Sequence, residues 1–152
     1  MPFLLPSRKH CSRTKPMRPL ITLALLMVCG VLQAAPQCED FLGALGTYPK
    51  SIEYLDCHQE PELQTAPLIA TYRIKGAEAV AAETYLQHTY GMRHLQLFCC
   101  MWDSLRHFHR EQQSGIGYEI LMVSEETPIN QRSQWAQIEF FYITVSVNTL
   151  EP

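Results

Sequence analysis

Four cysteines, Cys38, Cys57, Cys99 and Cys100, are the side chains of this sequence with the clearest chemistry. They follow an apolar leader, and cysteines of exported chains generally oxidise, so all four are predicted to form structural disulfides. Cys99 and Cys100 are neighbours in an apolar run that is typical of a strand, where adjacent side chains point to opposite faces. A bond between neighbours would also distort the intervening peptide. Each of the two is therefore expected to pair with a distant cysteine.

Two of the three possible disulfide pairings remain open on this argument. We favour Cys57 with Cys99, because each shares a strand face with a leucine, and Cys38 with Cys100. A bridge closing such a loop would restrict the unfolded chain by roughly 4 kcal/mol. The weaker alternative is a redox switch or a soft-metal site at the adjacent pair. Reactive thiols usually lie in electropositive, partly exposed places, whereas this run is apolar.

His107 and His109 form the second chemical pattern, a His-x-His pair on a segment flanked by arginines. On an extended segment both imidazoles would lie on one side, as in some zinc and copper sites. A catalytic metal needs at least three protein ligands, and the sequence does not locate a third among His58, His94 and Glu111. The flanking arginines also oppose a cation. We therefore predict no bound metal and no cofactor, with His107 and His109 as weak metal candidates.

Nucleophilic catalysis has no motif in this sequence. The patterns G-x-S-x-G, S-x-x-K and H-E-x-x-H do not occur. Ser104 stands beside Asp103 and close to His107, which we interpret as a cluster of loop residues. No catalytic residue is predicted.

An apolar leader precedes these residues. Residues 17–35 contain one arginine, an apolar run over 20–32 and a small-residue exit at Ala34 and Ala35. This is the layout of a secretory signal peptide, and the run is shorter than the roughly 20 residues that a membrane span needs. We predict cleavage after Ala34, with an uncleaved anchor or a lipoprotein acylated at Cys29 as alternatives. Residues 17–35 form a complete signal by themselves, so Met17 is an alternative start to Met1.

Loss of residues 1–34 would leave seven basic and 15 acidic residues, a net charge of −8. Such an acidic chain lacks the positive surface that binds phosphate backbones, so nucleic acid is excluded as an expected partner. No stable membrane insertion is expected after cleavage, and the predicted location is periplasmic or secreted. The remaining residues, 35–152, suffice for one disulfide-bonded domain.

Hydrophobic spacing predicts an α+β fold. Helices are expected over 38–45 and 77–90, ended by Gly46 and Gly91. Strands are expected over 51–57, 67–75, 93–102, 117–124 and 135–147, with a loop over 103–114. Strands that do not alternate with helices favour an antiparallel sheet. We expect about five strands with both helices on one face and a more polar opposite face.

Several segments together resemble an uncharacterised family of small exported bacterial proteins, known as a domain of unknown function. The segments are 41–46 with Pro49, 52–57, 72–76, 90–92 and 99–102. The resemblance covers nearly all of the chain after the leader. It implies a bacterial, periplasmic setting and supplies no activity and no site residues.

Two functions from different classes fit these observations. The first is an exported binding or interaction protein without catalytic activity, which contacts a protein or small ligand of the envelope through its exposed sheet face or an edge strand. The alternative is a small metal-dependent hydrolase that uses the His-x-His loop.

Overall fold

The computed structural model describes residues 35–150, so the predicted leader, both candidate start residues and Cys29 lie outside the described residues. Two α-helices and seven strands make up the described chain, with 3-10 turns at Gly76–Glu78 and Arg132–Gln137. The helices are α1 (Phe41–Leu45) and α2 (Ala79–Tyr90). The strands are β1 (Glu53–Gln59), β2 (Leu68–Lys75), β3 (Gln96–Phe98), β4 (Met101–Asp103), β5 (His107–Arg110), β6 (Gly117–Ser124) and β7 (Phe140–Val147).

The seven strands form one sheet in the order β1-β2-β7-β6-β4-β3, and every pairing is antiparallel. Strands β4 and β5 share one edge of β6, because Asp103 of β4 pairs with Val123 while β5 pairs with the first half of β6. The α+β class and the antiparallel sheet are as predicted. The strand count is seven and not about five.

Two residues with positive φ account for the extra strands. The predicted strand 93–102 is cut at Cys99, whose φ is 54°, so that β3 and β4 form a hairpin. Leu105, with φ 59°, separates β4 from β5, which lies inside the predicted loop 103–114. Positive φ is uncommon for residues other than glycine, asparagine and aspartate. Neither turn has a glycine at its positive-φ position, which is the residue that would mark such a turn in a sequence.

The carboxyl ends of both helices agree with the sequence prediction, whereas α1 begins three residues later than expected. Asp40 precedes α1, and its carboxylate accepts a hydrogen bond from Gly43 N at 3.0 Å, which satisfies a donor that the first turn leaves unpaired. Gly91 ends α2 with a φ of 82°, and its N–H donates to Gln87 O. Helix α2 starts two residues later than expected, because Gly76–Glu78 forms a 3-10 turn.

One face of the sheet is buried beneath the helices. The ring of Phe41 in α1 lies 5.9 Å from that of Tyr118, and the Trp135 ring lies 5.0 Å from that of Phe141. Strands β6 and β7 alternate strictly between buried and half-buried residues, and β2 does so up to its exposed last residue, Lys75. The strand β7 is shorter than predicted, since the 3-10 turn at Arg132–Gln137 buries Trp135 before the strand begins.

The opposite side of the sheet is called here the open face. It consists of the half-buried residues of the three central strands and of the residues that continue it onto β1 and β5. The central residues are Ile69, Thr71, Arg73, Glu119, Leu121, Val123, Phe140, Tyr142, Thr144 and Ser146. The face is mixed, with aromatic and aliphatic side chains among the polar ones, and so is less polar than expected.

Candidate functional site

The disulfide joins Cys38 to Cys57, with a Cα–Cα distance of 5.5 Å, and ties the segment before α1 to the edge strand β1. Cys99 and Cys100 are not disulfide-bonded. Both favoured pairings, Cys57 with Cys99 and Cys38 with Cys100, are therefore wrong. The physical reason is the strand order. Strands β1 and β3 end the sheet on opposite sides, five strand spacings or about 24 Å apart, whereas a disulfide needs Cα atoms within about 7 Å.

The imidazoles of His107 and His109 lie on the same side of β5 and contact the end of α2. The Nε2 atom of His107 donates to Tyr90 O at 2.8 Å, since a carbonyl oxygen can only accept. The His109 ring packs edge-on against the Tyr90 ring, with centroids 5.1 Å apart. Both histidines therefore anchor the carboxyl end of α2 to the sheet.

The residues considered as a third metal ligand lie away from His107 and His109 or are hydrogen-bonded to other groups. His58 contacts Glu60 at 3.1 Å on β1, and His94 lies 2.7 Å from the Gln87 side chain. The Glu111 carboxylate accepts hydrogen bonds from the backbone N–H groups of its own turn, which lowers the pKa of Glu111. Within residues 35–150, no three histidine, cysteine or acidic side chains are arranged to hold a metal ion.

Ser104 is fully buried and makes structural hydrogen bonds. Its Oγ accepts from Met122 N at 3.0 Å and donates to Leu105 O at 3.1 Å. It thereby connects β6 to the irregular segment between β4 and β5, where regular strand pairing is interrupted. Asp103 accepts from Leu105 N, and His107 is directed to Tyr90, so these residues do not form a proton relay.

Asp40 is the centre of a phenol network that the sequence did not reveal. Its carboxylate accepts hydrogen bonds from Tyr48 Oη and Tyr72 Oη, both at 2.8 Å. The Tyr72 oxygen in turn accepts from Leu42 N at 2.9 Å. Burial, followed by the hydrogen bond to Asp40, raises the pKa of Tyr48 to about 12. Burial also raises the pKa of Tyr72 well above its usual range. The network connects α1 to β2 beside the disulfide.

We expect the free energy of unfolding to fall as the pH rises from 10 to about 12. Above pH 10 the unfolded chain loses phenol protons that Tyr48 and Tyr72 retain in the native state, so the pH rise favours unfolding. Denaturant titrations at stepped alkaline pH measure this slope, and Tyr48→Phe should reduce it. Ionisation of all native phenols in a single step near pH 10 would contradict the assignment.

The buried carboxylate of Glu83 forms an ion pair with the partly exposed Arg132, which was also not foreseen. The Glu83 side chain is 2 % exposed, and its Oε1 accepts from Leu95 N at 2.7 Å while Oε2 contacts Arg132. Arg132 also donates to Leu95 O at 3.1 Å, and its guanidinium lies 4.2 Å from the centroid of the Trp135 ring. The pair joins α2, the loop after it and the second 3-10 turn.

Most basic side chains of the described residues lie on the open face or along its rim. Of the seven, Arg132 is paired with Glu83 on the helix side and Arg93 follows α2. The other five adjoin residues of the open face: Lys50, Arg73, Lys75, Arg106 and Arg110. A chain with net negative charge thus concentrates its positive charge on one surface.

Two arginines of this surface stack on aromatic rings. The Arg73 guanidinium lies 4.7 Å from the centroid of the Phe140 ring and pairs with Glu53 at 2.8 Å. The Arg110 guanidinium lies 5.9 Å from the centroid of the Phe108 ring, and Phe108 is 57 % exposed. A cavity of 380 Å³ borders the first pair, with Lys50, Lys75 and Glu78 among its lining residues. Flat, cationic and aromatic groups are thereby presented together.

The edge strand β1 is poorly suited to pairing with another chain. Its register shifts between Tyr54 and Asp56, which leaves Leu55 as a bulge. Glu53, Asp56 and His58 are exposed along it. Bulges and charged side chains are the usual protection of an edge against strand addition. The open face, and not this edge, is therefore the candidate interaction surface.

One comparison with known proteins supports the expected resemblance to a domain of unknown function. Residues 31–102 match the family model DUF4952, a domain of unknown function. The DUF4952 match ends at Trp102, inside β4, and so contains both disulfide cysteines and the Cys99-Cys100 pair. Neither the comparison with curated proteins nor that with solved structures gave a match. The match is to a family without a known function, so it indicates no activity for this chain.

Two observations bear on location. The Cys38–Cys57 disulfide is compatible with an exported protein, because disulfides persist in oxidising compartments. None of the helices between residues 35 and 150 has the length and apolar character needed to cross a membrane.

Proposed function

We propose that this chain is an exported bacterial binding protein, periplasmic or secreted, which contacts another protein of the envelope through the open face of its sheet. The observation that carries the proposal is the stacking of Arg73 on Phe140 and of Arg110 on Phe108 at opposite ends of that face. Aromatic residues and arginine are the residue types most enriched at protein interfaces and at their energetic centres.

The charge of the open face indicates the chemistry of the partner. Five of the seven basic residues in 35–152 adjoin the face, although that part of the chain has a net charge of −8. Arg73 and Arg106 are paired with Glu53 and Glu119 of the same surface. A partner surface with carboxylates would be attracted to the other three cations, Lys50, Lys75 and Arg110, and repelled by the rest of the chain, which orients the encounter. A carboxylate can also accept two parallel hydrogen bonds from one arginine guanidinium group. The partner surface is therefore expected to be acidic, with apolar groups between its charges.

Site-specific photo-crosslinking in the native host tests this proposal. A benzoylphenylalanine is placed either at Thr144, in the middle of the open face, or at Thr84, on the exposed side of α2. Illumination should join the Thr144 variant to one protein of defined mass and leave the Thr84 variant without that product. Equal crosslinking from both positions, or crosslinking from Thr84 alone, would refute the use of the open face.

A pair of charge reversals provides the matched control. Arg73→Glu should reduce the Thr144 crosslink by about tenfold, which corresponds to about 1.4 kcal/mol of binding free energy. Arg93→Glu makes the same charge change away from the face and should leave the crosslink within about twofold. If both reversals reduce the product equally, net charge and not the open face controls binding.

A further inference from the structure

Cys99 and Cys100 occupy the tip of the β3–β4 hairpin. Phe98 pairs with Met101 directly across the turn, so the two cysteines are its central residues. Cys99 is exposed and Cys100 is partly exposed. The flanking Phe98 side chain is 42 % exposed, so the tip is open to molecules from solution.

The turn brings the two thiols together. In a regular strand the neighbouring side chains would point to opposite faces, but the φ of 54° at Cys99 breaks the strand geometry. The neighbouring Cys99 thiol is the main reason that the pKa of Cys100 is raised. Thr127 N donates to Cys100 O at 2.7 Å and holds the turn against the following loop.

We infer that Cys99 and Cys100 form a dithiol site that closes into an eight-membered disulfide ring by exchange with a disulfide donor, and that this ring reopens while Cys38–Cys57 stays closed. The site is independent of the open face, so it neither requires nor supports the proposed binding function.

The exchange balances in two steps. The Cys99 thiolate, as the more exposed of the two, attacks one sulfur of the donor, whose S–S bond breaks and releases one thiolate that takes up a proton. Cys100 then loses its proton to solvent and attacks the Cys99 sulfur of the mixed disulfide, which releases the second donor thiol. Two electrons pass from the protein pair to the donor, and one S–S bond is formed for the one that is broken.

The ring should reopen readily because adjacent cysteines are too close for a relaxed disulfide. Neighbouring Cα atoms are about 3.8 Å apart across a trans peptide, whereas relaxed disulfides have Cα separations of about 4.4–6.8 Å. Strained and exposed disulfides are the more easily reduced ones. The Cα atoms of Cys38 and Cys57 are 5.5 Å apart, which lies inside the relaxed range.

The test uses the purified protein in glutathione buffers of stepped ratio, followed by acid quenching, alkylation and mass spectrometry of the peptides. In oxidised glutathione the peptide with Cys99 and Cys100 should lose two hydrogens, resist alkylation and carry no glutathione. Opening Cys38–Cys57 should need at least about ten times more reduced glutathione than opening the pair. Persistent glutathione on either thiol, two alkylated thiols under oxidising conditions, or opening of both bonds together would overturn the inference.

Single variants separate ring closure from simple thiol reactivity. Cys100→Ser should hold glutathione on Cys99 as a stable mixed disulfide, because no neighbouring thiol remains to displace it. Cys99→Ser should be modified several-fold more slowly than Cys100→Ser, since the remaining thiol is the less exposed of the two. A Cys100→Ser protein that sheds its glutathione as fast as the unaltered protein would contradict the second step. The wild-type peptide measurement stands even if a variant folds poorly.

Discussion

Replacement of Cys38 and Cys57 together by serine is expected to lower the free energy of unfolding by about 3 kcal/mol. The bond joins residues 19 apart in sequence, and the estimate is the loop entropy that it removes from the unfolded chain. For a domain of this size the melting temperature should fall by about 10–15 °C. Thermal unfolding followed by circular dichroism measures the shift. The effect is large because a domain of this kind has a net stability of only about 5–15 kcal/mol.

The matched control is the double replacement Cys99→Ser and Cys100→Ser, which also removes two sulfur atoms. These residues lie at an exposed turn, so the free energy of unfolding should change by less than about 0.5 kcal/mol. Reductant should lower the melting temperature of the unaltered protein and leave the Cys38, Cys57 variant unchanged. Equal destabilisation by the two double replacements would show that the disulfide has no special role in stability.

Removal of the Arg132 charge is expected to cause the second large loss of free energy of unfolding. Arg132→Met keeps an apolar stem against Trp135 but leaves the Glu83 carboxylate, 2 % exposed, with only the exposed His94 ring, 3.6 Å from its Oε1, in place of the arginine. Breaking a fully buried ion pair from one side typically costs about 3–5 kcal/mol, and since the Arg132 side chain is 39 % exposed we expect about 2–3 kcal/mol here. The free energy of unfolding, measured by denaturant titration, should fall by about that amount.

A second change distinguishes loss of the charge pair from loss of packing. Adding Glu83→Gln to Arg132→Met should recover about 1–2 kcal/mol, since the amide oxygen can still accept from Leu95 N without a buried charge. Arg93→Met, at an exposed position, should cost less than about 0.5 kcal/mol. If the double variant is no more stable than Arg132→Met alone, the lost interaction is packing on Trp135 and not charge pairing.

Turn chemistry explains where the predicted fold failed. The ends of α1 and α2 were recognisable, because Gly46 and Gly91 are the residue type that helix ends favour. The turns at Cys99 and Leu105 were not, because residues with a β-carbon rarely adopt positive φ and no glycine marks the breaks. Pairing of β4 and β5 with β6 holds those residues in place. The predicted strand 93–102 and loop 103–114 therefore became three short strands.

The contacts of the predicted site residues were also not recognisable from local sequence patterns. The sequence analysis correctly predicted that Cys38 and Cys57 are disulfide-bonded, but it paired each with the wrong cysteine. The pairing was wrong because Cys99 and Cys100 were expected to lie in one continuous strand. The His107 and His109 pair was recognisable by its spacing. Only the position of α2 shows that both imidazoles contact Tyr90 and not a metal ion.

By itself the sequence determined the α+β class, the long strands and helix α2, the helix ends and the family resemblance, because these follow from side-chain types and spacing within each segment. Only the tertiary structure decided the strand order and, through it, which cysteines meet. The same holds for the gathering of basic and aromatic side chains on the open face and for the proximity of the two thiols at the hairpin tip. These features depend on backbone pairing between segments far apart in the chain, and no local pattern of residues encodes that pairing.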